Sequence, residues 1–263
     1  MNTVFDILQF IDTIAPTHMK MEWDNVGLNC GRLDRQVTKI LVALDPFDEA
    51  IQEAIAFGAE LLVTHHALIF NPGFITDRDR QGQRILTLLE NGIAHINAHT
   101  NLDCAPGGVN DCLAAVLGLE NVEVIDPIGN DANGIPYGLL RMGTLQPQPL
   151  CQFLSSVKET LGCSALRYID SGKQVHRVAV GGGSCGDGLY DVFRAGCDTF
   201  ITSDIKYNIF RDAHDLGINL IDAGHFYTEN PVCHYLAEKL RSAFPELEVK
   251  LSETHKDHTK FFV

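Results

Sequence analysis

The chain has 263 residues, of which 45% are hydrophobic and 21% charged, a composition typical of a folded globular protein and unlike that of a disordered one. The 34 acidic and 20 basic residues give a formal net charge of −14 at pH 7, and no run of Lys and Arg offsets it. Because nucleic-acid binding requires a basic surface, we expect no nucleic-acid partner. With no signal-peptide pattern and no apolar run near the roughly 20 residues of a membrane span, we expect a cytoplasmic protein with reduced cysteines and no membrane partner.

The first half of the chain alternates helical patterns with short apolar runs. In chain order, the predicted elements are a helix over 4–15, strands over 40–44, 61–64 and 93–98, and helices over 48–57 and 81–91. Continuous apolar runs of this length are typical of strands that are buried on both faces of a parallel sheet. The order strand, helix, strand, helix, strand therefore predicts an α/β domain.

The second half repeats this pattern after a connector at 125–137, which is rich in residues that interrupt helices and strands. Alignment of Gly58 with Gly196 superimposes two apolar runs without a gap and places His65 and His66 on Ser203 and Asp204. We therefore predict two similar α/β halves that arose by internal duplication. The predicted domains are a first one over 1–128 and 221–263, which carries most of the metal ligands, and a second over 129–220.

Side chains that can bind metals follow several of the predicted strands. These candidates are His65, His66, His99, Asp103, Asp204, His225 and Glu229. Open α/β sheets place their ligands beyond the carboxyl ends of their strands, so we expect these side chains to gather at such an edge. His225 and Glu229 are four residues apart, and one turn of helix would place both on the same face.

Imidazole and carboxylate donors together suit Zn²⁺, Fe²⁺ or Mn²⁺ better than Ca²⁺ or Mg²⁺. Three histidines and two carboxylates are too many for one catalytic ion and are about right for two. Each cluster also has a structural alternative. The histidine pair can cap the edge of the core, Asp103 can cap the helix that begins near Gly108, and Glu229 can lie on the surface. His95, in the middle of a predicted strand, is expected to be structural.

A glycine-rich segment, Gly181–Gly186, follows a predicted strand and precedes a helix. Its backbone amides could bind a phosphate, as amides at helix starts often do. The segment lacks the lysine and the hydroxyl residue of a phosphate-binding loop and the spacing of a dinucleotide-binding one. A tight turn between strand and helix explains it equally well.

The ordered set of motifs resembles the Nif-three-like dinuclear metal-centre proteins, often labelled GTP cyclohydrolase 1 type 2 homologs, over nearly the whole chain. The residues that carry the resemblance are Trp23–Leu28, Thr64–Phe70, His99–Asp103, Gly107–Asp111, Val178–Ser184, Thr202–Lys206 and Asp222–His225 with Glu229. The chain departs from the family's usual pattern at Ala67, where Pro is frequent, and at Ser203, where Gly is frequent.

The resemblance implies the Nif-three-like fold, a two-domain α/β subunit that assembles into a homohexamer, and two divalent ions in each subunit. The implied metal ligands are His65, His66, Asp103, His225 and Glu229. His99 resembles a neighbouring motif residue that is not itself a ligand.

Three functional hypotheses follow from this site. In the first, the protein is a metal-dependent hydrolase of a small molecule, in which His99 or Asp204 orients the ligands or moves protons. The name cyclohydrolase comes from the resemblance alone, and the sequence leaves the substrate open. In the second, the protein binds, stores or delivers metal without catalysis. In the third, it is an interaction scaffold that the metals stabilise.

Overall fold

The computed structural model describes residues 2–70 and 73–262. The helices of this part of the chain, in order, are α1 Val4–Ile14, α2 Asp48–Phe57, α3 Arg80–Glu90, α4 Thr100–Cys104, α5 Val109–Val116, α6 Leu150–Leu161, α7 Leu189–Arg194, α8 Tyr207–Leu216, α9 His225–Glu229 and α10 Pro231–Ala243. The strands are β1 Gly27–Cys30, β2 Lys39–Ala43, β3 Leu61–Thr64, β4 Ala94–Asn97, β5 Glu120–Ile125, β6 Gly129–Asn130, β7 Pro136–Tyr137, β8 Leu140–Gln148, β9 Arg167–Ile169, β10 Val175–Val180, β11 Thr199–Thr202, β12 Asn219–Asp222 and β13 Glu248–Leu251.

The chain forms two compact units. The first unit comprises Met1–Ala105 and Val232–Lys256, and the second comprises Pro106–Pro231 and Asp257–Val263. Each unit is built around one mixed sheet, so the predicted α/β class with two similar halves is confirmed. No helix among the described residues is both long and apolar enough to cross a membrane.

The sheet of the first unit has the strand order β1-β4-β3-β2-β13. Strands β13, β2, β3 and β4 are parallel, and β1 pairs antiparallel with β4 at the edge. The residues of β3 are buried throughout, as the unbroken apolar run predicted. Leu41 and Leu62 pack against Ile51 of α2 and Leu88 of α3, which forms the core on that face of the sheet.

The sheet of the second unit has the order β5-β8-β10-β11-β12-β9, in which β10, β11 and β12 are parallel. One face packs on α5 and α6 through a cluster that includes Leu113, Phe153 and Val180. The opposite face packs on α7 and α8, where Phe200 contributes to the core. Helices on both faces explain why the central strands are apolar on both sides.

The three-strand repeat of each unit has the same local order. Strands β2, β3 and β4 are neighbours in the first sheet, and β10, β11 and β12 are neighbours in the second. A helix connects each consecutive pair, as the duplication predicted. The polar segments after β3 and β4 therefore have counterparts after β11 and β12.

The boundaries between the units differ from the predicted domains, 1–128 with 221–263 and 129–220. Helix α5 belongs to the second unit because its Leu113 packs in the same core as Val178 and Val180. Strand β12 also belongs there because it pairs with β11 along its full length. The breaker-rich connector contains the short β6–β7 hairpin and lies within the second unit. As a result, His225 and Glu229 belong to the second unit, and the first unit carries His65, His66 and Asp103.

Candidate metal centre

In the first unit, His65 and His66 follow β3 directly, and a different hydrogen bond fixes each ring. The Nδ1–H of the fully buried His65 donates to the carbonyl oxygen of Ala98 at 2.9 Å. Nδ1 of His66 lies 2.7 Å from a carboxylate oxygen of Asp45, which follows β2. An imidazole whose Nδ1 carries the proton presents the lone pair of Nε2, which is the usual arrangement of a metal-ligating histidine.

His99 completes a cluster of three imidazoles in the first unit. It follows β4, and its Nδ1 lies 2.9 Å from the carboxylate of Asp24. Candidate ligand atoms of His65, His66 and His99 all lie within 4.8 Å of one another. Three nitrogen donors at this spacing form a set that fits a divalent transition metal.

The carboxylate of Asp24 is the anchor of this cluster. It is 5% exposed, and it accepts hydrogen bonds from the backbone N–H and the hydroxyl of Thr100 as well as from His99. Burial favours the neutral acid, but these hydrogen bonds outweigh it and hold the pKa of Asp24 well below its usual range. Asp24 is therefore an anion beside the His99 ring, where it orients the ring and favours its Nδ1–H form.

Asp103 lies on α4 with one carboxylate oxygen 3.5 Å from Nε2 of His65. It is 8% exposed, so it does not act as a surface residue. The alternative role of a cap for the following helix is wrong. That helix, α5, begins after Gly108 without a side-chain cap, and the carboxylate that accepts from the nearby backbone N–H of Gly107 is that of Asp111. The first unit thus adds a carboxylate to its three imidazoles.

In the second unit, His225 and Glu229 lie on the same face of α9, as their spacing predicted. Nε2 of His225 is 3.0 Å from a carboxylate oxygen of Glu229. Nδ1 of His225 lies 2.6 Å from the carboxylate of Asp204, whose backbone has a φ of 52° in the left-handed region. Glu229 is 4% exposed, which rules out the surface alternative. Asp204 therefore orients His225 in the same way that Asp24 orients His99.

The glycine-rich segment makes room for Glu229. A Cβ at Gly183 would lie 2.1 Å from a carboxylate oxygen of Glu229, and one at Gly182 would lie 3.2 Å from its Cγ. The amides of this turn already donate within the protein, from Gly182 to Asn110 and from Gly183 to Thr228. The geometry therefore favours the tight turn over the phosphate loop. Ser203, the departure from the family pattern, donates to the carbonyl oxygen of Gly183 at 2.6 Å and supports the turn.

A cleft of about 290 Å³ adjoins His225 within the second unit. Its walls include Arg167, Asp204, Tyr227, Asp257 and Phe261. The Arg167 guanidinium pairs with Asp222, which leaves the cleft without a strong excess of positive charge. A cavity of this size next to a candidate metal ligand is large enough to admit part of a small molecule.

Two of the carboxylates that orient histidines, Asp24 and Asp45, are not among the site residues predicted from the sequence. Asp45 lies two residues beyond the end of β2, so the rule that drew attention to the other strand ends would have found it. Asp24 follows no strand, and its partner His99 lies 75 residues away. The expectation for His95 is confirmed, since it is fully buried and burial lowers its pKa to about 3.

The chain combines a duplicated α/β fold with histidine and carboxylate clusters at strand ends, which defines a class of candidate metal-binding proteins. A family model described as Duf34/NIF3 (NGG1p interacting factor 3) matches residues 2–258. The chain belongs to this family. A Clostridium perfringens relative named GTP cyclohydrolase 1 type 2 homolog is 36% identical over 262 residues, which cover 97% of this chain and 98% of the relative. A relative of the same name from a Nostoc species is 37% identical and covers 86% of this chain and 85% of its own length.

Solved structures have the same fold. A Bacillus cereus protein related to NIF3 aligns with a TM-score of 0.93 and 26% identity and covers 100% of this chain and 99% of its own. Reduced HcgD from Methanocaldococcus jannaschii aligns with a TM-score of 0.79 and 30% identity over 96% of this chain and 98% of its own.

Proposed function

We propose that this protein binds two divalent transition-metal ions and uses them to hydrolyse a small molecule. The observation that carries the proposal is the hydrogen bonding of four imidazoles. Nδ1 of His65, His66, His99 and His225 each lies within hydrogen-bond distance of a carboxylate or carbonyl oxygen. Oriented imidazoles of this kind are a signature of metal ligation, since the partner fixes both the tautomer and the direction of the ring.

The proposed ligands are His65, His66, Asp103, His225 and Glu229. Imidazole and carboxylate donors fit Zn²⁺, Fe²⁺ or Mn²⁺, and five donors suit two ions. When bound, such ions polarise a substrate oxygen and make water acidic enough to act as a nucleophile at neutral pH.

His99 and Asp204 have supporting roles in this proposal. The Asp24 carboxylate fixes the His99 ring beside the proposed ligands, where this imidazole is placed to move protons. Asp204 holds the His225 ring in place through Nδ1. In this proposal, Asp24 and Asp204 orient the rings of His99 and His225, and His99 is the group that moves a proton.

The family resemblance further supports a homohexamer that works in the cytoplasm on a small-molecule substrate, with neither nucleic acid nor membrane as partner. GTP is one candidate substrate, because the bacterial relatives carry the name of a GTP cyclohydrolase homolog. The net charge of −14 opposes binding of polyanions to the surface and leaves a metal site able to attract a small anion.

Metal analysis combined with turnover assays tests the proposal. We expect the purified protein to bind close to two transition-metal ions per chain, as counted by anomalous scattering and elemental analysis. We expect His65→Ala and Glu229→Ala to lower bound metal and abolish hydrolysis of a substrate panel that includes GTP. His214→Ala is the matched control, because this histidine lies exposed on α8 and pairs with Asp215.

The hexamer should persist in these variants when it is measured by light scattering. Absence of bound transition metal after reconstitution with Zn²⁺, Fe²⁺ and Mn²⁺ would overturn the proposal. Tight, exchangeable metal without turnover across the panel would instead favour a protein that stores or delivers metal.

A further inference from the structure

An exposed indole lies beside the histidine cluster of the first unit. Trp23 is 65% exposed, and its ring meets the His99 ring at a centroid distance of 5.9 Å in an edge-to-face arrangement. The half-exposed Phe70 lies 6.3 Å from Trp23 and 5.6 Å from His99, so the three rings contact one another. The ring of His99 is in turn 5.2 Å from that of His65. Trp23, Phe70 and His99 thus form a continuous aromatic surface that ends at His65, one of the proposed metal ligands.

The backbone that carries the indole is anchored on both sides. The N–H of Asp24 donates to the carbonyl oxygen of Met21, and the N–H of Met21 donates to the hydroxyl of Thr100. Lys20 donates to the carbonyl oxygen of Asp24 at 2.7 Å. Because the carboxylate of Asp24 also holds His99, the same residue fixes the direction of the imidazole and the position of the neighbouring indole. The platform is therefore preorganised, which lowers the entropy that a ligand loses on binding.

An exposed indole needs a reason, since tryptophan is largely buried in most proteins. Single exposed apolar side chains are common and need no explanation. Trp23 differs because its ring is in contact with two others and lies beside the histidine cluster of the first unit. An indole face offers a ligand a large, rigid stacking surface, and stacking on aromatic side chains holds planar heterocycles in many proteins.

We propose that Trp23, supported by Phe70, is a stacking platform for a planar aromatic or heteroaromatic ring of the ligand whose polar group reaches the His65, His66 and His99 cluster. This inference rests on the proposed metal-binding function and narrows its substrate class to molecules that contain such a ring. A ligand with the polar group alone lacks the contact with the indole and binds more weakly.

The single tryptophan of the chain makes the test direct, because all indole emission comes from Trp23. The probes are GMP, UMP and ribose 5-phosphate, which share a phosphorylated ribose and differ in the presence and size of the ring. On the Zn²⁺-loaded protein, we expect GMP and UMP to bind at least about tenfold more tightly than ribose 5-phosphate in calorimetry. We also expect both nucleotides to change the indole emission, and ribose 5-phosphate to leave it unchanged.

The variants separate stacking from metal binding. We expect Trp23→Ala to lose the tenfold tighter binding of the nucleotides over ribose 5-phosphate, while the affinity of this variant for Zn²⁺ stays within about threefold of that of the parent protein. We expect Trp23→Phe to retain most of the difference between the nucleotides and ribose 5-phosphate. Phe193→Ala is the matched control, because this aromatic side chain is 45% exposed on α7 of the second unit. It should leave the affinities for all three probes unchanged.

Three outcomes would overturn the proposal. The first is equal affinity for the three probes. The second is a tighter binding of GMP and UMP than of ribose 5-phosphate that survives Trp23→Ala. The third is a change of oligomeric state in Trp23→Ala without any ring preference in the parent protein. The last result would assign the indole to a contact between copies of the chain. Failure of the parent protein to bind Zn²⁺ would count against the proposed function itself, whereas normal Zn²⁺ binding without ring preference would refute the platform alone.

Discussion

The two units share a three-strand repeat but use equivalent positions differently. In the first unit, Asp45 follows β2 and lies beside Nδ1 of His66. The equivalent position after β10 is Gly183, where any side chain would collide with Glu229. His66 itself corresponds to Asp204, which supports a histidine instead of being a candidate ligand. The duplicated fold therefore places equivalent positions at the strand ends of both units. The residue at each position determines whether it is a candidate metal ligand, orients a histidine or leaves space for a neighbouring side chain.

The units also differ in how deeply they bury the carboxylate that orients a histidine. The side chain of Asp24 is fully buried and accepts four hydrogen bonds, whereas that of Asp204 is 56% exposed beside His225. The carboxylate of Asp24 therefore stabilises the surrounding fold and also orients His99, whereas that of Asp204 only orients His225. Substitutions at the two positions should therefore separate stability from metal binding.

The largest effect is expected at Gly183. Gly183→Ala places a Cβ 2.1 Å from Glu229 and 3.1 Å from Nε2 of His225, so the carboxylate must move. We expect the affinity for Zn²⁺, measured by competition with a chromogenic chelator, to fall by about 100-fold or more, because a displaced ligand exceeds the 10- to 100-fold cost typical of losing an orienting residue.

Gly196→Ala is the control for backbone strain. Gly196 also lies in the second unit and has a φ of 73°, close to the 64° of Gly183, but a Cβ there would meet nothing within 4 Å. Both substitutions incur the left-handed strain of roughly 1–2 kcal/mol. If Gly196→Ala reduced the affinity for Zn²⁺ as much as Gly183→Ala does, backbone strain and not the collision of the Cβ with Glu229 would account for the loss.

An intermediate effect is expected from the orienting carboxylates. Asp204→Asn should lower the affinity for Zn²⁺ by about 10- to 100-fold, since it loses the anion that orients the proposed ligand His225. Asp24→Asn should lower this affinity less, because its partner His99 is not among the proposed ligands. Asp24→Asn should also lower the free energy of unfolding by about 1–3 kcal/mol, because its amide cannot accept all the hydrogen bonds of the buried carboxylate. Asp204→Asn should leave unfolding nearly unchanged. Equal losses of stability in urea titrations of the metal-free variants would contradict the proposed difference between the units.

Much of the fold follows from the sequence because each buried strand carries its own signal. The apolar runs around Leu41 and Leu62 lie between helices and have the length of buried parallel strands, and the structure places strands there. The boundaries between the units could not be predicted in this way. They depend on long-range packing, such as that of Leu113 against Val178, and local composition contains no trace of it.

Residues of the candidate site could be predicted from the sequence when they lie close to the end of a strand, and not when they lie far from one. His65 and His66 directly follow β3, and Glu229 is one helical turn from His225, so simple spacing rules apply. The pairing of Asp24 with His99 joins a loop to a strand end far along the chain and has no local pattern. A buried carboxylate of this kind becomes visible only when the fold is known.

The smallest effect concerns a carboxylate that anchors the edge of the first sheet. Strand β13 comes from the far end of the chain and lies parallel to β2, whereas the corresponding position beside β10 is occupied by the antiparallel β8. Glu53 of α2 accepts hydrogen bonds from Ser252, Thr254 and Lys250, which follow or belong to β13. Burial raises the pKa of Glu53, but these hydrogen bonds outweigh it and lower the pKa from 4.5 to about 2.

Because its folded-state pKa is depressed, Glu53 contributes stability that is present above pH 4.5 and is lost as the pH falls towards 2. Glu53→Gln should therefore cost about 1 kcal/mol at pH 7, since the amide retains some of the hydrogen bonds. The difference from the parent protein should shrink steadily below pH 4.5, as measured by urea unfolding of both proteins without metal. Glu90→Gln, on the exposed end of α3, is the control and should give no such difference. A cost that is independent of pH would show that β13 is held by the shape of the side chain at position 53 and not by its charge.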